Sequence, residues 1–261
     1  MVRSNPVLGI IGGGQLGSML ATAAKKLKIK TIVLSEDTKA PAKNFCDEII
    51  ISEYNKLKNV EDFANKVDVV TFEFENIPFK VLEHISKLKP VFPKPSINKI
   101  VQNRFTEKKF INNIGIRTTN YTLIKNQSDI LNSEDLLPGL LKTCTLGYDG
   151  KGQFVLDNKE KASKLGIEFD KEYILEKKVE LKKEISIIIT RFLNNDFVIY
   201  EPIENLHINQ MLSRSTIPAE IDKIISEKAQ QQARVIAEKL DYVGTMCVEY
   251  FIDEKNNLLV N

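Results

Sequence analysis

Between Leu141 and Gln153 the chain reads LKTCTLGYDGKGQ, with Gly147, Gly150 and Gly152 spaced around Tyr148, Asp149 and Lys151. Glycines let a backbone approach an anion and turn its N–H groups towards it. Lys142 and Lys151 add positive charge beside the loop, so the pattern is that of a segment that handles polyphosphate. Flanked by strand-like LLK and QFVL, the same residues also describe a plain hairpin tip. A second glycine turn, Gly12-Gly13-Gly14-Gln15-Leu16-Gly17, satisfies G-x-G-x-x-G directly after one strand-like run and ahead of a helical one. That is the setting of a phosphate site at a helix N-terminus. Glu36, at the end of the second strand, would be the ribose acid if the ligand were a dinucleotide. Any phosphorylated ligand suits the turn as well, and no second dinucleotide-binding half is evident.

Polar residues near strand ends complete the set. Glu73 to Asn76 falls at the C-terminal tip of VDVVTFEF, where open parallel sheets bind ligands, so Glu75 and Asn76 are placed to contact a phosphate ester on the glycine turn. Further on, YILEKKVELKKEISI puts Glu176 at a strand end, runs through Lys177, Lys178 and Val179, and brings Glu184 to the start of another strand. A backbone of this kind can pair with an adenine edge while Glu184 takes ribose hydroxyls; the acids also suit exposed pairing with the neighbouring lysines. Glu249, in MCVEYF, is either a solvent-face residue of an alternating strand or the carboxylate that Mg²⁺ requires opposite a phosphate loop. His207, in ENLHINQ, reads as a polar loop residue.

The elements that must position these residues follow from periodicity. From residue 7 to 95, VLGII, TIVLS, EIIIS, VDVVTFEF and PVFP alternate with helical patterns near Gln15–Leu27, near Leu57–Asn65 and from Pro78, which predicts strand–helix repeats of a parallel sheet. Pro93 and Pro95 mark the exit into a new unit. One helix is predicted from Ser96 to Gly115. Strands are predicted at GLLK, QFVL, YILEK, EISIIITR, DFVIYE and TMCVEYFID, with a turn at Asn194-Asn195. Ile221, Ile225, Ala229, Ala233, Ile236 and Leu240 lie on one face of an amphipathic helix, and VEYFIDEKNNLLVN reads as a terminal hairpin.

Composition narrows the classes. With 43% hydrophobic and 28% charged residues the chain is not a disordered polymer, and Lys+Arg 37 against Asp+Glu 35 leaves a formal charge of only +2, which does not suggest a nucleic-acid backbone as partner. The N-terminal apolar run is too short and glycine-rich for a signal peptide, and no run has the length of a membrane span, so a cytoplasmic location is expected. Three cysteines without C-x-x-C spacing and two histidines speak for free thiols and against a zinc centre.

Taken in order, GGGQLG, EFENIP, QNRFTEKKF, LKT with GYDGKGQ, YILEK, KEIS, ENLH, GTMCVEYF and LLVN resemble the ATP-grasp family of 5-(carboxyamino)imidazole ribonucleotide synthases over essentially the whole chain. The resemblance implies an α/β fold: a Rossmann-like preATP-grasp domain over residues 1–95, then an α+β ATP-grasp unit over 96–261, truncated at the C-terminus. It implies conversion of 5-aminoimidazole ribonucleotide, bicarbonate and ATP to the carboxyamino product, ADP and phosphate, with Mg²⁺, in a homodimer. On matching positions, Arg104, Lys142, the loop Gly147, Tyr148, Asp149, Gly150, Lys151, Gly152 and Gln153, then Glu176, Lys177, Lys178, Val179, Glu184, His207 and Asn261 would bind ATP. Glu249 would bind the metal. Gly14, Gln15, Leu16, Glu75 and Asn76 would hold the ribonucleotide, with Tyr148 and Asp149 near its reacting amine. Cys144 and Thr145 stand where the family often has basic residues, and Asn209-Gln210 where it often has Asp-Gly. In the family LLVN continues into a second metal carboxylate and a C-terminal domain, so a chain ending at Asn261 is expected to turn over poorly. The residues alone leave a formate-using relative, a nucleotide binder without turnover and a Rossmann dehydrogenase as rivals; GYDGKGQ beside EFENIP argues against the first.

Overall fold

The computed structural model describes residues 6–147, 152–208 and 211–261. Contacts divide the chain into two units, the first running to Lys99 and the second from Ile100 to Asn261. In the first, β1 (Val7–Ile11), β2 (Lys30–Ser35), β3 (Glu48–Ile51) and β4 (Val69–Phe72) form a parallel sheet in the order β3-β2-β1-β4. α1 (Gln15–Lys26), α2 (Leu57–Lys66) and α3 (Phe79–Ser86) connect or flank the strands. The central strands are apolar throughout because a parallel sheet is covered on both faces: Ile10, Val33 and Ala21 cluster apart from Ile11, Leu34, Phe63 and Leu82. The expected strand PVFP is reduced to one bridge between Val70 and Val91, since Pro90 and Pro93 offer no ladder N–H.

The helix predicted from Ser96 to Gly115 is two. α4 (Pro95–Val101) and α5 (Arg104–Asn113) are separated by Asn103, whose side-chain carbonyl accepts from the N–H groups of Phe105 and Thr106 and starts the second helix afresh. The rest of the second unit holds two sheets. One orders β5 (Tyr121–Ile124), β8 (Tyr173–Lys177), β6 (Gly139–Thr143) and β7 (Gln153–Leu156) as β5-β8-β6-β7, with α6 (Gln127–Leu131) and α7 (Lys159–Ser163) beside it. Leu141, Tyr173 and Leu175 turn into its core with Ile124, Ile130 and Leu156.

The other sheet is built on β9 (Leu181–Arg191), with β10 (Phe197–Ile199), β11 (Ile203–Ile208), β12 (Met211–Thr216), β13 (Gly244–Asp253) and β14 (Leu258–Val260), in the order β12-β11-β9-β13-β14 and β10 paired to β9. α8 (Lys223–Lys239) lays Ile225, Ala229, Ala233 and Ile236 against Ile185, Ile187, Ile189, Val248, Tyr250 and Ile252. The Tyr250 hydroxyl donates to the Ala229 carbonyl at 3.0 Å. No helix among the described residues is long and apolar enough to cross a membrane.

Candidate nucleotide and substrate sites

Strand alternation divides the second unit into core and cleft. Opposed residues of an antiparallel pair share a face, and Ser186 stands opposite Glu249 while Glu184 stands opposite both Phe251 and Asn205. Glu184, Ser186, Cys247 and Glu249 therefore face away from α8, and the isoleucines between them face towards it. In the smaller sheet, Leu140 is opposite Glu176 and Lys142 is opposite Ile174, so Lys142 and Glu176 share the face turned away from Leu141 and Leu175. A cleft of about 260 Å³ is lined by Arg104, Glu107 and Lys108 of α5, Glu176 of β8, Cys247 and Glu249 of β13, and Asn261. Asn261 is beside Glu249 because its N–H donates to the Glu249 carbonyl at 3.0 Å, one step past the pair Tyr250–Val260.

One buried carboxylate organises the charges. Glu176 is 2% exposed, and its Oε2 takes Lys142 Nζ at 3.1 Å and Lys108 Nζ at 3.5 Å, with the Thr119 hydroxyl at 3.5 Å. Burial opposes ionisation of Glu176, but the charges of Lys108 and Lys142, a hydrogen bond from Lys142 and the charge of Arg104 outweigh it and hold the carboxyl below its usual range. Burial also lowers the Lys108 ammonium, and Lys142 pushes in the same direction against Glu176. The Glu176 carboxylate is paired with protein cations.

Lys142 sits near the end of β6, opposite Gln153 of β7. Arg104 reaches the residues after β6 twice, its N–H donating to the Cys144 carbonyl at 2.9 Å and its guanidinium to the Gly147 carbonyl. Cys144 is buried, and burial pushes its thiol up to about 11. Tyr148, Asp149, Gly150 and Lys151, like Asn209 and Gln210, lie outside the described residues.

At the end of β8, the N–H groups of Lys177 and Lys178 are taken by Asn120 and Pro138 carbonyls, and Val179 N–H has no backbone partner among the described residues. Glu184 is paired to His207 Nδ1 at 2.6 Å. Burial raises the Glu184 carboxyl above its ordinary value and the like charge of Glu249 adds to this, against His207 and Lys142. His207, expected in a loop, lies on β11, one of two strands whose pairing shifts between Leu206 and His207.

In the first unit, two amides of the glycine turn are engaged by an acid of the same chain. Gly14 N–H donates to Glu73 Oε1 at 2.8 Å, and Gly17 N–H donates to Glu73 Oε2. The head of α1 is thus already filled by a carboxylate from its own chain. Gly12 has φ of 102°, and a Cβ there would meet the Glu73 side chain at 2.4 Å, so the glycine turn is shaped around Glu73. Glu75 and Asn76, named from sequence, follow in a turn, Glu75 exposed and Asn76 half-buried. The signal for Glu73 was its position: it directly follows β4, its N–H bonds the Ile11 carbonyl, and Ile11 leads into the turn. The signal for Lys108 was its spacing of one helical turn after Arg104.

A ribonucleotide synthetase preATP-grasp domain matches residues 6–102, and an ATP-grasp domain matches residues 109–261. The N5-carboxyaminoimidazole ribonucleotide synthase of Bacillus subtilis (strain 168) is 38% identical over 265 residues, covering 100% of this chain and 70% of the relative. The chain belongs to the N5-carboxyaminoimidazole ribonucleotide synthase family. Its fold is a preATP-grasp domain followed by an ATP-grasp domain, and the family is one of ATP-grasp ligases. The Staphylococcus aureus synthetase complexed with ADP superposes with a TM-score of 0.92 at 35% identity, covering 98% of this chain and 69% of the other. The Aspergillus clavatus synthase complexed with ATP gives 0.88 at 26%, again over 98% and 69%.

Proposed function

We propose that the protein uses ATP to carboxylate 5-aminoimidazole ribonucleotide with bicarbonate, giving the 5-carboxyamino product, ADP and phosphate. The observation that carries this is the cluster of Arg104, Lys108 and Lys142 around a single buried carboxylate, because its surplus of positive charge suits a triphosphate. A bicarbonate oxygen attacks the γ-phosphorus and ADP leaves. The ribonucleotide amine then attacks the carboxyl carbon of the resulting carboxyphosphate, forming the C–N bond as phosphate departs. Neither step needs a protein nucleophile; both need aligned reactants and neutralised charge.

In this reading Arg104, Lys142 and the segment Gly147–Gln153 hold the triphosphate. The linker Glu176–Val179 holds the adenine through the Val179 N–H, and Glu184, oriented by His207, takes the ribose hydroxyls. Glu249 and Asn261 offer adjacent hard oxygen donors, which fits Mg²⁺, an ion that commonly takes one or two carboxylates and completes its shell with phosphate and water. When bound, the ion would neutralise phosphate charge. Gly14, Gln15, Leu16, Glu75 and Asn76 hold the ribonucleotide, with Tyr148 and Asp149 near its amine. Because Glu73 fills the helix head, the group received there is a hydrogen-bond donor of the ligand rather than its phosphate. The reading extends to a cytoplasmic location, from the sequence pattern, and to a homodimer, as the resemblance implies.

The test is incorporation of ¹³C from bicarbonate into the ribonucleotide, followed by NMR together with ADP release. Label in the carbamate that needs both ATP and ribonucleotide is the expected result. ADP release unaffected by the ribonucleotide, with no labelled product, would count against the reading.

A further inference from the structure

We propose that Lys108 is the standing counter-ion of Glu176, which leaves Lys142 free to move from the carboxylate to a nucleotide phosphate. The inference rests on the nucleotide reading of the cleft and adds a positioning residue to it.

Both lysines converge on the same oxygen, Glu176 Oε2, Lys142 at 3.1 Å and Lys108 at 3.5 Å. They differ in everything else. Lys108 is 5% exposed, projects from α5, and is tied through the Thr119 hydroxyl at 3.4 Å, which itself lies 3.5 Å from the same carboxylate oxygen. Lys142 is more open, its side chain 14% exposed against 6% for Lys108, and sits near the end of β6, ahead of the glycine-rich segment. With Lys142 as sole partner, its departure to a phosphate would strip a carboxylate that is 2% exposed, a change that buried charges resist strongly. A second buried ammonium on that oxygen removes the obstacle. The two ammonium groups hold Glu176 ionised against its burial, and Glu176 in turn favours the charged form of Lys108 against burial and the Lys142 charge. Lys108 therefore acts through Lys142 and need not touch the nucleotide.

A double-mutant cycle read by calorimetry of ATP binding tests this on the full chain. Lys108→Met should weaken ATP by about tenfold or more, since Lys142 is then held by Glu176, and adding Glu176→Gln should restore most of the loss. A double variant as weak as Lys108→Met, or a Lys108→Met protein that binds like wild type, overturns the counter-ion role. If Lys108→Met does not fold, the comparison is Glu176→Gln against the double variant. With the carboxylate neutral, the presence of Lys108 should change ATP affinity by less than about twofold. A tenfold difference there would mean that Lys108 binds nucleotide itself and overturn the proposal. Wild-type protein that binds neither ATP nor ADP would instead remove the nucleotide reading, and this inference with it.

Discussion

At the scale of single residues, the cleft is governed by what happens to Glu176. Lys142→Ala removes a charged hydrogen bond from the proposed triphosphate contact, worth about 1.5 to 3 kcal/mol, so ATP affinity should fall about ten- to a hundredfold. Circular dichroism should be unchanged, since Lys108 still neutralises the carboxylate. Glu176→Leu is a different experiment, because it strands Lys108 in the interior; a loss of about 3 to 5 kcal/mol in urea unfolding is expected. The pH dependence follows from sign. The folded carboxyl of Glu176 lies below its ordinary 4.5, so on acidification the unfolded chain takes up this proton first. Its stabilisation is full above about pH 4.5 and is lost as pH falls through the lowered folded value. Unfolding curves of Glu176→Gln should lack that part of the acid limb. Lys142 and Glu176 were legible because strand ends and glycine loops carry a pattern. Lys108 and Glu73 were not, since a buried ammonium reads as a surface lysine, and Glu73 reads as one of the two acids in EFEN until the helix head is seen to close on it.

Elements show the same limit in another form. The sheet around β9 and β13 was legible because each strand has one buried face, whereas β11 and β12 were missed because β12 is exposed along its whole length and β11 has only Ile203 buried. With no buried face there is no period of two to read. The split between α4 and α5 escaped for the opposite reason: apolar spacing continues through both helices, and only the cap at Asn103 separates them. That cap sets the start of α5 and so the reach of Arg104 to the Cys144 and Gly147 carbonyls. Asn103→Ala should cost about 1 kcal/mol of stability. It should also weaken ATP binding, whereas Asn126→Ala, at the cap of α6, should lower stability without that second effect. Urea unfolding and calorimetry on the two variants separate these outcomes.

For the whole molecule, the proposed nucleotide contacts all belong to the second unit. Saturating ADP at about 100 times its dissociation constant adds about 2.7 kcal/mol to the state that binds it. Hydrogen exchange should then slow in β6, β8, β9 and β13, while α1 to α3 keep their rates; equal protection of both units would mean that nucleotide contacts extend into the first. The chain spans about 70% of the length of its Bacillus subtilis relative, so comparisons of rate belong with proteins of matched extent.

Consider finally what β9 permits to change over generations. From Glu184 to Ile189 each odd position faces α8, and Glu184 and Ser186 face the other way, Ser186 with the cleft residue Glu249 opposite. Substitution can alter either set by itself, and a lineage can exchange one isoleucine for valine without touching a ligand. Insertion or deletion of one residue cannot, because it would turn Glu184 and Ser186 into the hydrophobic interior and the isoleucines out. Composition along this strand is therefore open to gradual drift, but its length is inherited as a fixed quantity, held at once by selection for folding and selection for the ligand.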